Sequence, residues 1–235
     1  MTTESSIQVN FGRPMPLFPL DSVTLLPQQI APFHVFEPRY RQMIDSVLDT
    51  SGQIAMAVFS GPKWKEQYHG RPPLKPAVCV GQIVEHEKLD DGRYNILVQG
   101  VCRARILKEL PVSEDRLYRV AMLEPFGLET QETDDLADLR RRLSESLAEG
   151  PLAQMRVAKP MLDFLRNPEI PTAALLEVIS FTILTDNTLR YKLLSEESLQ
   201  RRADLIEREL HGLEDLIRRA AKQRPQDWPK GCSWN

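Results

Sequence analysis

Cysteine and histidine are scarce in this 235-residue chain, which contains three cysteines and four histidines. None of them recur at the short spacings that structural zinc ligands show, and an odd, widely spaced set of cysteines is not a disulfide framework. Cys79 and Cys102 fall in apolar strand patterns, where a buried free thiol is expected, and Cys232 lies in the tail. The sequence therefore predicts neither disulfides nor a metal site.

Signatures of nucleotide binding and of nucleophilic catalysis are missing as well. A phosphate-binding loop needs consecutive backbone amides, and the nearest glycine–lysine pairing, in residues 60–63, loses one amide at Pro62. No Gly-x-Ser-x-Gly elbow is present. The paired acids Glu85 and Glu87 are typical of a solvated hairpin edge. We therefore expect no catalytic residues and no cofactor, so the chain should not be an enzyme.

An excess of basic charge and long apolar runs are two further absences. The net charge is −3, and residues 1–126 carry 14 basic and 14 acidic side chains. Nucleic acid is therefore not favoured as a partner, because such binding depends on a basic surface. No segment approaches the roughly 18 apolar residues of a membrane span, and the amino terminus lacks a basic patch followed by an apolar run. We expect a cytoplasmic protein without membrane contact.

Residues 14–48 contain two short strand patterns and the clear start of a helix. Pro16 and Pro19 each remove an amide donor, which predicts an edge strand rather than a central one. Pro38 fits the first helical turn, and the apolar residues after it recur at helical spacing up to Gly52, which ends the helix. The residues between them should face solvent or a partner: Arg39, Arg41, Gln42 and Asp45.

From Gln53 to Pro125 the chain reads as strands. Asp90-Asp91-Gly92 predicts a hairpin turn in which glycine supplies the positive φ. Gly100 interrupts the next strand, and the apolar residues change alternation beyond it, which predicts a bulge that bends the strand.

The second half is predicted to be helical. One helix should end at Gly150, another should run over residues 152–166, and Thr172 is placed to cap a third that is apolar nearly all round. Apolar residues in the last helix, over residues 199–220, follow a 3.5-residue repeat through three heptads. This stripe could form a homodimeric coiled coil, or it could pack on the chain's own helices.

These patterns together predict an α+β protein. The expected divisions are a flexible amino terminus over residues 1–13, a strand-rich subdomain over 14–126, a helical subdomain over 127–223 and a tail over 224–235.

A long irregular loop over residues 61–76 interrupts the strand-rich half, and loops of this length are often functional. Trp64 and Tyr68 stand among basic residues there and are suited to anchor a partner chain, although both rings could instead fold back over the strands. They are the first candidates for peptide binding, followed by the helix face that bears Arg39 and Gln42.

Several of these segments resemble the amino-terminal domain of Lon proteases. The matching segments include residues 17–20 (Leu-Phe-Pro-Leu), residues 80–83 (Val-Gly-Gln-Ile) and the hairpin over residues 91–106, with Gly100 and Arg103. Residues 36–41 (Phe-Glu-Pro-Arg-Tyr-Arg) are closest to stand-alone bacterial relatives of that domain. The resemblance implies a small PUA-like β-barrel with one amphipathic helix, followed by an α-helical bundle.

It also implies a non-catalytic module that recognises unfolded or peptide segments, acting as an adaptor in protein quality control with a protease or chaperone partner. The chain ends at Asn235, before the ATPase and peptidase regions of the proteolytic relatives. Because PUA-like barrels include RNA-binding modules, an RNA or modified-nucleotide binder is the alternative. An unrecognised hydrolase would require a deep polar pocket.

Overall fold

The computed structural model describes residues 7–21, 23–68, 70–111 and 113–222. Cys232, the tail over residues 224–235 and residues 1–6 of the expected flexible amino terminus lie outside the described residues. The strands are β1 (Met15–Leu20), β2 (Ile30–Val35), β3 (Gln53–Val58), β4 (Ala77–Lys88), β5 (Tyr94–Glu109) and β6 (Arg119–Pro125). The helices are α1 (Pro38–Leu48), α2 (Asp134–Ala148), α3 (Ala158–Arg166), α4 (Thr172–Thr182), α5 (Asn187–Ser195) and α6 (Leu199–Lys222). The fold is therefore α+β, as the sequence predicts.

The strands form one sheet in the order β2-β5-β4-β3-β1-β6, and β5 also pairs with β6. Each of β1, β3, β4, β5 and β6 consequently pairs with two of the others, in a closed cycle. Only β1 and β3 are parallel; the remaining pairs are antiparallel. Closure depends on the length of β5, whose first half pairs with β2 and β4 while its second half pairs with β4 and β6.

The prediction that β1 is an edge strand is wrong. β1 pairs with β6 through residues 15–17 and with β3 through residues 17–20. Pro16 lies opposite Val120 of β6, and Pro19 lies opposite Ala57 of β3. The two ladders are staggered, so each proline is paired on one side only and its missing donor can face the unpaired side. A strand with two prolines is tolerated in the interior of the sheet for this reason.

The predicted bulge next to Gly100 is confirmed. Val80 lies opposite Cys102 and Gly81 opposite Gly100, so Val101 is the extra residue. The predicted hairpin turn is also present, with Gly92 at φ +79° between β4 and β5. A bulge increases the local bend of a strand. In β5 the bulge lies between the half that pairs with β2 and β4 and the half that pairs with β4 and β6.

Small and branched apolar side chains fill the space among the paired strands. This core cluster contains Met15, Leu17, Ala55, Ala57, Val78, Val80, Ala104, Ala121 and Leu123. Helix α1 buries the face that its spacing predicts, through Tyr40, Met43, Ile44 and Val47.

The contacts divide the chain into two compact units. Unit 1 comprises residues up to 129 together with 184–198, and unit 2 comprises 130–183 together with the residues from 199 onward. The sequence prediction placed residues 127–223 in one helical subdomain, whereas α5 is grouped with the strands. Two contacts join α5 to the strands: the buried guanidinium of Arg103 in β5 lies 3.4 Å from the carbonyl oxygen of Leu193, and Ala77 N of β4 donates to the Tyr191 hydroxyl at 3.0 Å.

Unit 2 contains α2, α3, α4 and α6, with two local departures from prediction. The helix expected over residues 152–166 is divided into a 3₁₀ turn, Pro151–Gln154, and α3, which begins only at Ala158. Thr172 does not cap α4: it is the first helical residue, and its hydroxyl donates to Glu132 at 2.6 Å. The backbone N–H of Thr172 also donates to Glu132, at 3.3 Å, so a carboxylate from the segment before α2 accepts at the start of α4 instead of a capping hydroxyl.

Helix α6 packs on unit 2 through the first part of its predicted stripe. Leu199, Ala203, Ile206 and Leu210 are buried, while Leu213 and Ile217 are half-buried and Ala220 is exposed. Packing on the chain's own helices therefore accounts for the first half of the repeat.

Candidate functional site

An aromatic cleft in unit 1 lies where β1 and β2 end and α1 begins. The loop after β3 forms its opposite wall. Its volume is about 180 Å³. Six aromatic side chains line it: Phe18, Phe36, Tyr40, Phe59, Trp64 and Tyr68.

The rings of the loop are packed against one another. Trp64 stacks on Phe59 with centroids 4.5 Å apart and planes only 3° from parallel. Tyr68 meets both rings edge-on, at 6.1 Å from Phe59 and 5.6 Å from Trp64. Both predicted anchors, Trp64 and Tyr68, are thus half-buried members of a cleft wall that folds back on the strands. Hydrogen bonds on either side of the loop base support this wall, from Ser60 N to Pro73 O and from Lys75 N to Val58 O, each 2.8 Å.

The start of α1 fixes the loop by a charged network. The hydroxyl of Tyr68 donates to Glu37 Oε1, and Arg39 Nε donates to Glu37 Oε2 at 3.0 Å. The Arg39 guanidinium also lies 4.5 Å from the centroid of Tyr68, within range of a cation–π interaction. These contacts hold the phenol ring in place and leave one of its faces as part of the cleft.

The tyrosines of the cleft remain neutral near pH 7. Burial and the hydrogen bond to Glu37 raise the pKa of Tyr68 above its ordinary value. Burial also raises the pKa of Tyr40. Since neither phenol can act as a base at neutral pH, the cleft offers aromatic surface and hydrogen bonds rather than proton transfer.

Gln42, the fourth residue predicted to bind peptide, uses its amide elsewhere. Its Nε2 donates to the carbonyl oxygen of Asp115 at 2.8 Å, and its Oε1 accepts from the backbone N–H of Leu117 at 2.7 Å. Both ends of the amide are therefore committed to the connection between β5 and β6. Arg39 and Gln42 share one helix, but Arg39 contacts the cleft wall and Gln42 holds a different loop.

Phe36 also belongs to the cleft, although the sequence pattern did not predict it as a site residue. It follows β2 directly, its side chain is 60 % exposed, and it lies at the rim of the cleft, stacked on His34 at 6.3 Å. A large apolar residue placed between a strand end and a helix start is the one sequence signal that could have identified Phe36.

The neighbouring edge of the sheet is less suited to adding a peptide strand. Among the described strands β2 pairs only with β5, so its other edge is open. Pro32 stands in the middle of this edge strand and has no N–H to donate. A strand-adding peptide would need consecutive backbone donors and acceptors, so the proline weakens this mode of binding.

The described residues contain neither a metal-binding cluster nor a membrane-spanning helix. No group of three or more His, Cys, Asp or Glu side chains within them is placed to hold a metal ion. None of the described helices is long and apolar enough to cross a membrane.

The described chain thus combines a strand-rich unit that carries an aromatic cleft with a helical unit, which defines an α+β protein with a candidate binding cleft. The family model for the substrate-binding domain of ATP-dependent protease La (LON) matches residues 14–212. The chain belongs to this family.

Similar proteins include Lon proteases of several bacteria. The chain is 26 % identical to a Lon protease of Desulfosudis oleivorans over 120 residues, which cover 50 % of this chain and 15 % of the relative. It is 26 % identical to a Lon protease of Trichlorobacter lovleyi over 175 residues, 71 % of this chain and 20 % of that protein. The similarity thus spans a fifth or less of the relatives' length.

Solved structures show the same fold. The amino-terminal domain of the Mycobacterium avium complex Lon protease aligns with a TM-score of 0.62 at 18 % identity, covering 83 % of this chain and 96 % of that one. A Lon amino-terminal domain protein from Xanthomonas campestris aligns with a TM-score of 0.56 at 20 % identity, covering 82 % and 95 %. Both likenesses concern the fold.

Proposed function

We propose that this chain is a non-catalytic polypeptide-recognition module that binds apolar side chains of unfolded or peptide segments in the aromatic cleft. The observation that carries this proposal is the cleft itself, which is lined by the exposed Phe36 together with a wall built from Phe59, Trp64 and Tyr68. Aromatic side chains supply large contact area at low conformational-entropy cost and do not demand one fixed charge pattern. Membership of a substrate-binding family supports the same proposal.

The test is the affinity for a reduced and alkylated protein that cannot fold, measured by calorimetry. Phe36→Ser removes an exposed ring, so it should weaken binding while leaving the fold intact. Truncation of a true anchor typically costs about 2 kcal/mol, or roughly thirtyfold in affinity. Trp64→Ala and Tyr68→Ala should also weaken binding, and their circular dichroism must be compared with the parent because both rings also pack on the loop.

Leu128→Ser is the matched control. Leu128 is 59 % exposed, close to the value for Phe36, and it does not line the cleft. The substitution makes a similar change of surface polarity in the same unit. If Phe36→Ser and Leu128→Ser bind the client equally well, the cleft is not the site. In that case the Arg39 face of α1 becomes the next surface to test.

An adaptor role in cytoplasmic protein quality control extends this proposal. The support for it is that the similar region of the curated relatives is only part of proteins named Lon protease. Adding this chain to a Lon protease and an unfolded client should change the rate of client degradation. Phe36→Ser should abolish the change, whereas an effect that survives this substitution would separate the adaptor role from the cleft.

The closed cycle of strand pairings supports the further proposal that unit 1 is a small barrel of the PUA-like type. The RNA-binding alternative finds less support, because the net charge is −3 and the family match concerns protein substrates. An RNA mobility shift at low salt that depends on the cleft residues would reverse this preference.

A further inference from the structure

A second pocket in unit 1, separate from the aromatic cleft but adjoining it, is lined by four arginines. Arg39, Arg71, Arg116 and Arg119 surround a volume of about 230 Å³. The pocket and the aromatic cleft share Pro19 and Tyr40 as lining residues. A polypeptide seated in the cleft could therefore continue directly into the arginine pocket.

Positive charge exceeds negative charge at this pocket. Arg119 makes a two-pronged contact with Glu109, with Nε 2.8 Å from Oε2 and Nη2 2.5 Å from Oε1. Arg71 Nη2 shares the same carboxylate at 3.1 Å. Arg39 pairs with Glu37 at 2.9 Å. Two carboxylates thus face four guanidinium groups, which leaves an excess of about two positive charges.

Arg116 has the least compensated charge of the four. Among the described residues its guanidinium has one hydrogen-bond acceptor, the carbonyl oxygen of Pro111 at 3.0 Å, and no ion pair. Its Nε–H is shielded from solvent and has no hydrogen-bond partner within that part of the chain. The charge of Arg116 is therefore not neutralised by a carboxylate of the described residues, and a carboxylate entering the pocket beside the guanidinium would gain a charge-assisted hydrogen bond.

The size and walls of the pocket favour a carboxylate over a nucleic-acid phosphate. The volume suits one or two side chains, and Pro19, Pro111 and Leu117 supply apolar wall between the charges. A polynucleotide needs a continuous basic track, which a chain with a net charge of −3 does not suggest. The contact of Arg119 with Glu109 shows the fork-to-carboxylate geometry that arginine favours.

We propose that the arginine pocket binds a carboxylate of the polypeptide whose apolar side chain occupies the aromatic cleft. The favoured client therefore carries an acidic group beside an apolar run, either an Asp or Glu side chain or its own carboxyl terminus. Arg116 is the residue that receives the carboxylate, and Arg71, whose side chain is 37 % exposed, lies at the more accessible side. This inference rests on the proposed binding of polypeptide and adds charge selectivity to it.

The experiment compares short synthetic peptides that share a central Phe-Leu-Phe run. One peptide carries two aspartates on each side of the run and a second carries asparagines at those positions. Each is made with a free and with an amidated carboxyl terminus. Calorimetry with the full chain should show the aspartate peptide, or the free-acid form, binding about tenfold more tightly than its neutral counterpart, as expected for a charge-assisted hydrogen bond. The peptide that shows the difference identifies the source of the carboxylate.

Arg116→Gln should abolish this difference without changing the affinity for the neutral, amidated asparagine peptide. Arg156→Gln is the matched control, because Arg156 is exposed, lies in unit 2 and carries the same charge. It should retain the full difference. The advantage of the acidic peptide should also decrease with added salt, since the ligand charge is partly screened.

Failure of this inference is distinguishable from failure of the proposed function. If all the peptides bind with one affinity and Phe36→Ser weakens them equally, the cleft is a site but the arginine pocket is not. If none binds and the unfolded protein does not bind either, the proposed function itself is wrong. Displacement of the aspartate peptide by a single-stranded RNA, lost in Arg116→Gln, would assign the pocket to phosphate instead.

Discussion

Gly100→Ala is expected to destabilise unit 1 severely, because no side chain fits at this position. A Cβ atom built on Gly100 would lie 2.1 Å from the carbonyl oxygen of Leu26 and 3.1 Å from Cys79 Sγ. The nearest atom belongs to the backbone and cannot be relieved by a rotamer change. The segment before β2 would therefore have to move away from β5 by about 1 Å.

Two backbone hydrogen bonds hold that segment where it is. Gln28 N donates to Gly100 O and Gly100 N donates to Gln29 O, both at 2.8 Å. Their loss costs about 1 kcal/mol each, and overpacking of a tight site typically adds about 1–3 kcal/mol. A total of about 3–5 kcal/mol is a large part of the stability of a small domain. For a chain of this size it corresponds to a decrease in Tm of roughly 10 °C.

Thermal unfolding followed by circular dichroism, with urea titration as a second measure, tests this expectation. The control is Gly212→Ala, which should raise the Tm instead of lowering it. Gly212 lies inside α6, is exposed and has no atom within 4 Å of a built Cβ. The better helix propensity of alanine should stabilise it by about 1 kcal/mol. A Gly100→Ala protein with the Tm of the parent would refute the reasoning, because it would show that the segment over residues 24–29 yields without cost.

Three further outcomes are expected. Burial alone would raise the pKa of Glu109, but the hydrogen bond from Arg119 and the neighbouring arginine charges outweigh it and hold the pKa below its ordinary value. This carboxylate therefore stabilises the fold above its unfolded pKa and loses that effect as pH falls through the folded pKa. The Tm loss in Glu109→Gln should thus be largest near neutral pH and shrink as the pH falls below the ordinary pKa of a glutamate, and a pH-independent loss would contradict this. Burial raises the pKa of the Cys102 thiol to about 11, so iodoacetamide should not label it in the folded protein near pH 8; rapid labelling seen by peptide mapping would be inconsistent. Self-association through residues 199–220 should be weak, because the part of the stripe left for a partner is short: Leu213 and Ile217 are half-buried and Ala220 is exposed, with the exposed Leu216 beside them. Sedimentation should show a monomer, and a dimer that Ile217→Asp disrupts would contradict this.

Local chemistry was enough to predict many of the elements of this chain. Pro38 opens α1 and Gly92 occupies its turn with positive φ, because each requirement concerns one residue and its immediate neighbours. The bulge at Gly100 was likewise visible as a break in alternation. The error at β1 has the opposite origin. A proline in the sequence shows that one backbone N–H is missing. Whether a neighbouring strand would have needed that N–H depends on how β3 and β6, which are far away in the sequence, pair with β1.

The candidate site follows the same division. The sequence by itself determined that the loop bears Trp64 and Tyr68 and that the chain resembles a substrate-binding family. The tertiary structure alone decided that these rings close a cleft with Phe36 and that Arg103 brings α5 to the strands. It also decided the arginine pocket, whose members come from α1, the loop after β3 and the region around β6. Guanidinium groups so distant along the chain become neighbours only when the strands pair. The spacing of apolar residues in a sequence indicates which face of an element a residue occupies, but it does not indicate which residues lie opposite that face.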